Sequence, residues 1–315
     1  MTTTISQHTD PALGTCTERI SRLLGVVQQR MTQQQAAWSP DSVILADPTA
    51  AGLPLVMRHA KAFENVLVEM PIVVEEDDLI VGNCVEEGVI VRIGQPDYAT
   101  DEERHQARSE GATIGSGLSH KTPYYYDAIN RGLAAILEDV DRKWEDVSGR
   151  EPSAERQQKL AYYQAIQVEC RAVIRMAHRH ADLAEEQAAT GSLSAQRRAE
   201  LLAIAAVCRR VPEFPARSFH EAVQSFWFIH FALFSTGTKL SCGRLDQYLH
   251  PQLEKDLDEG RITLAEAQEL VDSLWLRFND RAQICRENFF LSVDDASGKK
   301  ANGNRQGGVV VDRGP

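Results

Sequence analysis

The stretch from residue 207 to 251 constrains the fold more than any other part of this sequence. It reads VCRRVPEFPARSFHEAVQSFWFIHFALFSTGTKLSCGRLDQYLHP. Its middle is predicted to be a helix with apolar residues on nearly every face: Phe219, Val223, Phe226, Trp227, Phe228, Ile229, Phe231 and Phe234. A helix that is apolar all round is buried on all sides. The stretch therefore predicts a large fold of several layers, with this helix at its centre.

Charge and cysteine usage exclude several classes of protein. The 315 residues carry 45 acidic and 34 basic side chains, whereas nucleic-acid-binding domains usually present a basic face. The six cysteines are scattered without a CxxC pair, which indicates reduced thiols and not a disulfide framework. The N-terminus has no signal-peptide pattern, and the apolar run 226–234 is far shorter than the roughly 20 residues of a membrane span. We expect a cytoplasmic protein that binds neither nucleic acid nor membrane.

Apolar periodicity and capping signals predict a mostly helical chain after a disordered tail at residues 1–14. Two capping boxes are predicted, at Ser218–Glu221 and Thr263–Glu266, in which a hydroxyl and a carboxylate serve the first helical turn from opposite directions. Besides the central helix, helices are predicted over residues 17–38, 53–68, 121–147, 154–189, 194–209, 244–258 and 263–284.

Short β-branched runs predict a small sheet beside these helices. Two runs lie within residues 71–82, around an acidic turn, and a third covers 88–93. Further strands are predicted after residue 288. The polar stretch 94–119 is predicted to be mostly loop. We find no internal repeat.

Three local patterns resemble catalytic or metal sites and have simpler explanations. His220-Glu221 begins like a zinc-protease motif but lacks the second histidine four residues later, so a capping role for Glu221 is favoured. His178 and Asp182 supply two ligands on one helical face, too few for a structural zinc site. Cys84 lies two residues from a carboxylate, but a cysteine at a strand end usually acts as a small hydrophobe. We predict no metal site.

Two polar residues stand out in loops beside predicted buried helices. Lys239 lies between the central helix and the helix that follows it, and His120 lies at a helix start. Either side chain could face a cavity, cap a helix or be exposed, and the residues alone leave these alternatives open.

Several segments, taken in order, resemble the pyruvate formate-lyase-like glycyl radical enzymes. They cover most of residues 53–312, and their number and order make the resemblance specific. The segments are MRHAKAFENVLVEMPIVVEEDDLIVGN, SHKTPYYYDAINRGLAAILEDV, AIQVECRAVIRMAHRHADLAEEQA, CRRVPEFPARSFHEAVQSFWFIHF, GRLDQYLHPQLEKDLDEGRITLAEAQELVDSLWLRFND and GNRQGGVVVDRG.

The resemblance implies an α/β, predominantly helical fold, in which residues 15–315 form the N-terminal portion of a ten-stranded α/β barrel. It further implies an anaerobic enzyme, often a homo-oligomer. In this family a radical-SAM activase installs a glycyl radical, which generates a thiyl radical at a central cysteine. The outcomes in the family include lyase, dehydratase, decarboxylase and formate acetyltransferase reactions on small metabolites.

Departures from the family pattern decide which residues are carried over. The thiyl cysteine and the radical glycine lie further along in the family, and neither Cys84 nor Gly314 matches their motifs, so no catalytic residue is predicted here. A His-Ser pair that faces the substrate in diol-acting members corresponds to Thr238 and Lys239. A lysine there can pair with a carboxylate or another anion. The predicted substrate wall is Thr238, Lys239, Ser241 and His120.

Two hypotheses follow for the function. In the first, the chain is the N-terminal portion of a glycyl radical enzyme, truncated or split, inactive alone, and in need of a companion chain and an activase. In the second, it is a non-catalytic helical binding or scaffolding protein derived from such an enzyme. Neither hypothesis assigns a bound cofactor to this chain.

Overall fold

The computed structural model describes residues 16–31, 33, 36–86, 89–112, 121–235 and 240–280. The predicted tail at 1–14 and the strands predicted after residue 288 lie outside these ranges. Within them the chain forms eleven helices and three short strands. The elements are α1 (Glu18–Met31), β1 (Ala36–Trp38), α2 (Pro48–Ala51), α3 (Leu55–Glu69), β2 (Val85–Glu86), β3 (Val89–Ile93), α4 (Asp101–Ser109), α5 (Tyr125–Asn130), α6 (Gly132–Ser148), α7 (Ala154–Ala188), α8 (Ala195–Arg210), α9 (Phe219–Ser235), α10 (Leu245–Asp258) and α11 (Leu264–Asn279).

Helix α9 is the central element, as its composition predicts. Its phenylalanines at 219, 226, 228 and 231 and Trp227 are at most 1% exposed. Helices α5, α8, α10 and α11 pack around it, and Phe278 of α11 meets the ring of Trp227 edge-on at 5.1 Å. The predicted burial on all sides is confirmed for most of the helix, but Ile229 is half-buried and Phe234, near its C-terminal end, is 37% exposed.

Helix α7 is the longest described element, with 35 residues and a length of about 52 Å. It packs against α3, α6 and α8. Most of its buried residues are alanines, at positions 161, 165, 172, 177, 181, 184 and 188. Side chains this small let neighbouring helices approach closely, so α7 is the element against which the other helices of this layer pack.

The small sheet has the strand order β1–β3–β2, with β1 parallel and β2 antiparallel to β3. Strand β1 corrects the predicted helix 17–38, because α1 ends at Met31 and residues 36–38 are extended. The reason is a distant partner: Trp38 pairs with Ile93, and the carbonyl of Trp38 accepts the N–H of Gly94 at 2.7 Å. Local periodicity contains no information about that pairing.

Residues 71–84, which we call the anchored segment, correct a second prediction. They form no strand, although Val74, Ile80 and Val81 are buried. Many of their backbone groups bind side chains; only at its end does the segment bond a strand, where the carbonyl of Cys84 accepts the N–H of Val91 in β3 at 3.2 Å. The amide of Gln224 on α9 donates to the carbonyl of Val81 at 2.7 Å and accepts its N–H at 2.9 Å. The β-branched residues of this segment therefore indicate that it is buried, and they do not indicate that it pairs in a sheet.

Other helices hold the anchored segment in the same way. Gln187 of α7 donates to Val74 O at 3.0 Å, and Arg197 of α8 donates to Glu75 O at 2.6 Å and Asp78 O at 2.8 Å. On α9, His220 bonds Leu79 O and Trp227 donates to Gly82 O at 2.9 Å. Arg19 of α1 donates to Asp77 O at 3.3 Å, so the segment is fixed from four helices at once.

The predicted loop 94–119 contains a helix, α4, which is a third correction. A capping box formed by Thr100 and Glu103 starts it, and none of its residues is buried, so it has no apolar periodicity to reveal it. Arg58 of α3 ties α4 to the protein body by bonding the Glu103 carboxylate and the carbonyl of Tyr98.

The predicted helix 121–147 is divided in two at Gly132, where φ is +77°. A side chain there would collide with the backbone of Glu213 and Phe214. The N–H groups of Leu133 and Ala134 instead donate to the carbonyls of Pro212 and Glu213 at 2.8 and 2.9 Å. The other predicted helices are present with small shifts at their ends, and α11 ends at Asn279.

Two further features of the described residues concern membrane spans and disulfide bonds. No helix among them is long and apolar enough to cross a bilayer. The five cysteines within these ranges form no disulfide bond.

We predict that replacing Gln224 with leucine lowers the free energy of unfolding by about 2–4 kcal/mol. The change leaves the buried N–H and C=O of Val81 without partners, and each such group costs about 1–3 kcal/mol. Urea unfolding followed by circular dichroism measures the effect. Gln196→Leu, on the exposed face of α8, is the matched control and changes stability by less than about 0.5 kcal/mol. Equal losses in the two variants would contradict the anchoring role.

Candidate functional site

Two loops that hold the predicted substrate wall meet in the structure. Lys121 forms a parallel bridge with Leu240, and the N–H of Ser241 donates to the carbonyl of Lys121 at 2.8 Å. Of the predicted wall, Ser241 lies at this junction, whereas His120, Thr238 and Lys239 lie outside the described residues. In sequence, however, His120 directly precedes Lys121 and Lys239 directly precedes Leu240.

Ser241 and Thr122 both adjoin Gly243 at this junction. The Ser241 hydroxyl accepts the N–H of Gly243 at 3.3 Å. A β-carbon built on Gly243 would lie 2.7 Å from the methyl carbon of Thr122. The junction therefore places two hydroxyl-bearing side chains, one from each loop, around a single glycine. Thr122 was not among the predicted wall residues.

Tyr248 of α10 completes the junction. Its hydroxyl oxygen would lie 2.6 Å from a β-carbon on Gly243, so this position has no room for a side chain. Gly243 also has φ +61°, a conformation that glycine adopts without strain. Sequence reasoning did not identify Tyr248 as a site residue. Nothing in the segment GRLDQYLHP shows that its ring lies over the start of α10.

A layer of buried and half-buried polar side chains lies behind the junction. The hydroxyl of Tyr125 lies 2.9 Å from Nδ1 of His230, and the Tyr125 ring packs 4.5 Å from Phe226 and 6.0 Å from Tyr248. Burial raises the pKa of Tyr125, and the nearby Cys242 and Tyr248 raise it further. Burial also raises the pKa of the Cys242 thiol. Both groups are therefore protonated at neutral pH.

The patterns that resembled metal or catalytic sites have structural roles. His178 pairs with Glu213 at 3.1 Å and Asp182 pairs with Arg209, so the two do not share a ligand. Among the described residues, no three His, Cys, Asp or Glu side chains are arranged to hold a metal ion. Cys84, the last residue of the anchored segment, is fully buried.

The capping role of Glu221 needs a partial correction. The Ser218 hydroxyl accepts the N–H of Glu221 at 3.2 Å, as the capping box predicts. The Glu221 carboxylate, however, accepts the N–H of Arg217 at 2.6 Å and not that of Ser218. The Arg217 guanidinium binds the same carboxylate at 3.1 Å and thereby draws it one residue further back. The second box, Thr263 with Glu266, is confirmed.

Comparison with known proteins identifies relatives for most of the described region. A family model described as pyruvate formate lyase-like matches residues 85–294. Isethionate sulfite-lyase from Oleidesulfovibrio alaskensis is 40% identical over 159 residues, which make up 48% of this chain and 18% of that protein.

Solved structures show the same relationship in three dimensions. A structure describing 1,2-propanediol dehydration in Roseburia inulinivorans is 31% identical, with a TM-score of 0.70, over 84% of this chain and 38% of that one. A glycyl radical enzyme from Archaeoglobus fulgidus is 26% identical, with a TM-score of 0.63, over 84% and 40%. The chain therefore spans less than half the length of each protein. These matches confirm the predicted, mostly helical α/β fold class over part of the length of such enzymes.

We predict that Gly243→Ala lowers the free energy of unfolding by more than the positive φ at this position alone would cost. Alanine at a positive φ costs about 1–2 kcal/mol, and the new methyl group also collides with Tyr248 and Thr122. Gly260→Ala is the matched control, because Gly260 has φ +65° and no atom within 4 Å of its β-carbon position. Urea unfolding of both variants gives the difference, expected to be about 1–3 kcal/mol in excess for Gly243→Ala. Equal losses would argue against the close approach.

We also predict a His180-dependent loss of stability in mild acid. His180 is fully buried, and its Nδ1 bonds the carbonyl of Met176 at 2.8 Å. Burial lowers its pKa to about 4, compared with about 6.5 in the unfolded chain. The stability due to neutral His180 is therefore complete above pH 6.5 and is lost as pH falls toward 4. Between pH 7 and 5 the loss is about 2 kcal/mol.

Chemical unfolding at the two pH values tests this expectation. The His180→Gln variant should lose less stability than the unsubstituted chain between pH 7 and 5. His250→Gln, on an exposed position of α10, is the matched control. An unchanged pH dependence in His180→Gln would show that other groups cause it.

Proposed function

The chain belongs to the pyruvate formate-lyase-like family of glycyl radical enzymes, and on that basis we propose that it supplies one wall of the active site of a lyase or dehydratase. Its contribution is the helical shell, the small sheet and the junction around Gly243. The rest of the barrel, with the thiyl cysteine and the radical glycine, comes from further polypeptide, either a continuation or a companion chain.

The pairing of Lys121 with Leu240 and Ser241 is the observation that carries this proposal. It joins the two loops from which all four wall residues were predicted, namely His120 on one side and Thr238, Lys239 and Ser241 on the other. Loops held by a rigid scaffold are where binding residues are concentrated. In this proposal the four residues contact the substrate.

The proposed substrate is a small anion that also carries a hydroxyl group. The relative isethionate sulfite-lyase is named for a hydroxylated sulfonate, and Lys239 offers a positive charge to an anionic group. Arg244, which follows the junction, forms an ion pair with Asp246 at 2.6 Å, and Lys121 adds a second positive charge at the junction itself. We assign Lys239 to the anion because its position corresponds to the substrate-facing pair of the family.

Radical chemistry fits the protonated Tyr125 and Cys242 side chains behind the junction. In the complete enzyme the glycyl radical would generate a thiyl radical, and that thiyl radical would supply hydrogen-atom abstraction at the substrate. Tyr125 and Cys242 are protonated at neutral pH, so this part of the chain orients a substrate without offering it an ionic nucleophile. A radical-SAM activase is the expected partner of the complete enzyme. The predicted cytoplasmic location and homo-oligomeric state stay predictions.

We predict that Lys239→Ala raises the KM for isethionate about tenfold or more, since a hydrogen bond to a charged group contributes about 1.5–3 kcal/mol. The assay is sulfite release by the anaerobically activated complex, with the glycyl radical quantified by electron paramagnetic resonance. Lys255→Ala, on an exposed position of α10, is the matched control. Lys239→Arg should retain part of the affinity. An unchanged KM in Lys239→Ala would remove the lysine from the substrate wall.

Native mass spectrometry of the protein purified from its own cells tests the incomplete barrel. We expect a continuation or a companion polypeptide that carries the cysteine and glycine motifs. A stable 315-residue chain without such a partner, and without a radical signal after exposure to an activase, would favour the non-catalytic binding or scaffolding function instead.

A further inference from the structure

Within the described part of the chain, the hydroxyl of Tyr248 is a polar group at the junction with no hydrogen-bond partner. No described residue forms a hydrogen bond with it, although Tyr248 is partly buried and its oxygen lies against Gly243. Partly buried polar groups are normally satisfied by protein, water or ligand. The position of this oxygen beside Ser241 and Thr122 therefore raises the question of what it binds.

Ring packing, and not hydrogen bonding, fixes the position of this hydroxyl. Side chains on a helix lean toward its N-terminus, which carries the Tyr248 ring back over the first turn of α10. The ring of Tyr125 lies 6.0 Å away and is itself held by His230 and Phe226. The hydroxyl is thus held in place before any ligand arrives, which lowers the entropy cost of binding.

Neighbouring tyrosines do not offer an equivalent group. Tyr125 already shares its hydroxyl with His230 at 2.9 Å. Tyr124 and Tyr126 are 70% and 44% exposed, and their rings contact each other at 6.0 Å. Among the described aromatic residues of the two loops and their helices, Tyr248 alone combines a fixed ring, a position at Gly243 and an unused hydroxyl.

We propose that the Tyr248 hydroxyl donates a hydrogen bond to an anionic oxygen of the substrate, and so helps to select sulfonates or carboxylates over neutral diols. This inference rests on the proposed function, because it takes the junction to be a substrate wall. A phenolic hydroxyl donates one hydrogen bond, and a bond to a charged acceptor is roughly twice as strong as a neutral one. Selection then follows from the charge of the acceptor.

Titration of the protein, together with its companion polypeptide where one is present, with isethionate tests the inference. Ligand-observed nuclear magnetic resonance gives the Kd for the unsubstituted protein, Tyr248→Phe and the matched control Tyr126→Phe. We expect Tyr248→Phe to weaken isethionate binding about tenfold, to weaken 1,2-propanediol binding less, and Tyr126→Phe to have no effect. Gly243→Ala, which displaces the hydroxyl without removing it, should also weaken isethionate binding.

The outcomes separate the inference from the proposed function. If the unsubstituted protein binds isethionate and Tyr248→Phe binds it within twofold, the inference is wrong and the substrate wall stands. If Tyr248→Phe weakens isethionate and 1,2-propanediol equally, selection by charge is wrong. If the unsubstituted protein binds neither probe, the proposed function fails and the inference fails with it. Matching thermal unfolding of Tyr248→Phe and the unsubstituted protein confirms that the variant is folded.

Discussion

The bidentate pairing of the Gln224 amide with the backbone of Val81 is the interaction on which the architecture depends most. It places a polar side chain of the buried central helix against an extended segment that has no neighbouring strand at that point. Trp227 and His220 repeat the same solution one turn away on either side. The central helix is therefore both the core of the fold and the hydrogen-bonding partner of an extended chain.

Local signals in the sequence were sufficient to predict the elements that depend on neighbouring residues, namely the long helices and their caps. The cap residues Ser153, Ser194 and Thr263 each accept a backbone N–H at the start of a helix, and the long helices lie where periodicity predicts them. Most of the wrong predictions involve distant partners. Strand β1 exists because Trp38 meets Ile93, and the anchored segment is extended because side chains from four helices bond its backbone. Helix α4 was missed for a different reason, since it buries none of its residues.

The candidate site shows the same division. Ser241 was predicted from family resemblance, and the structure places it where two loops join. Thr122 and Tyr248 could not be found in that way, because their relevance comes from converging on Gly243 from 121 residues earlier and five residues later in the chain. The one local sign of this convergence is the positive φ of Gly243. A single glycine in a loop does not reveal its φ in the sequence.

The layer that supports Tyr248 is also part of the hydrophobic core. Tyr125 and His230 lie among the aromatic side chains around α9, so any change that repositions the site from behind also alters the packing that keeps the chain folded. Substitutions that leave the core packing intact are possible at the solvent-facing hydroxyls of Thr122 and Ser241. Proteins that descend from this one should therefore retain Tyr125 and His230 and vary at Thr122 and Ser241.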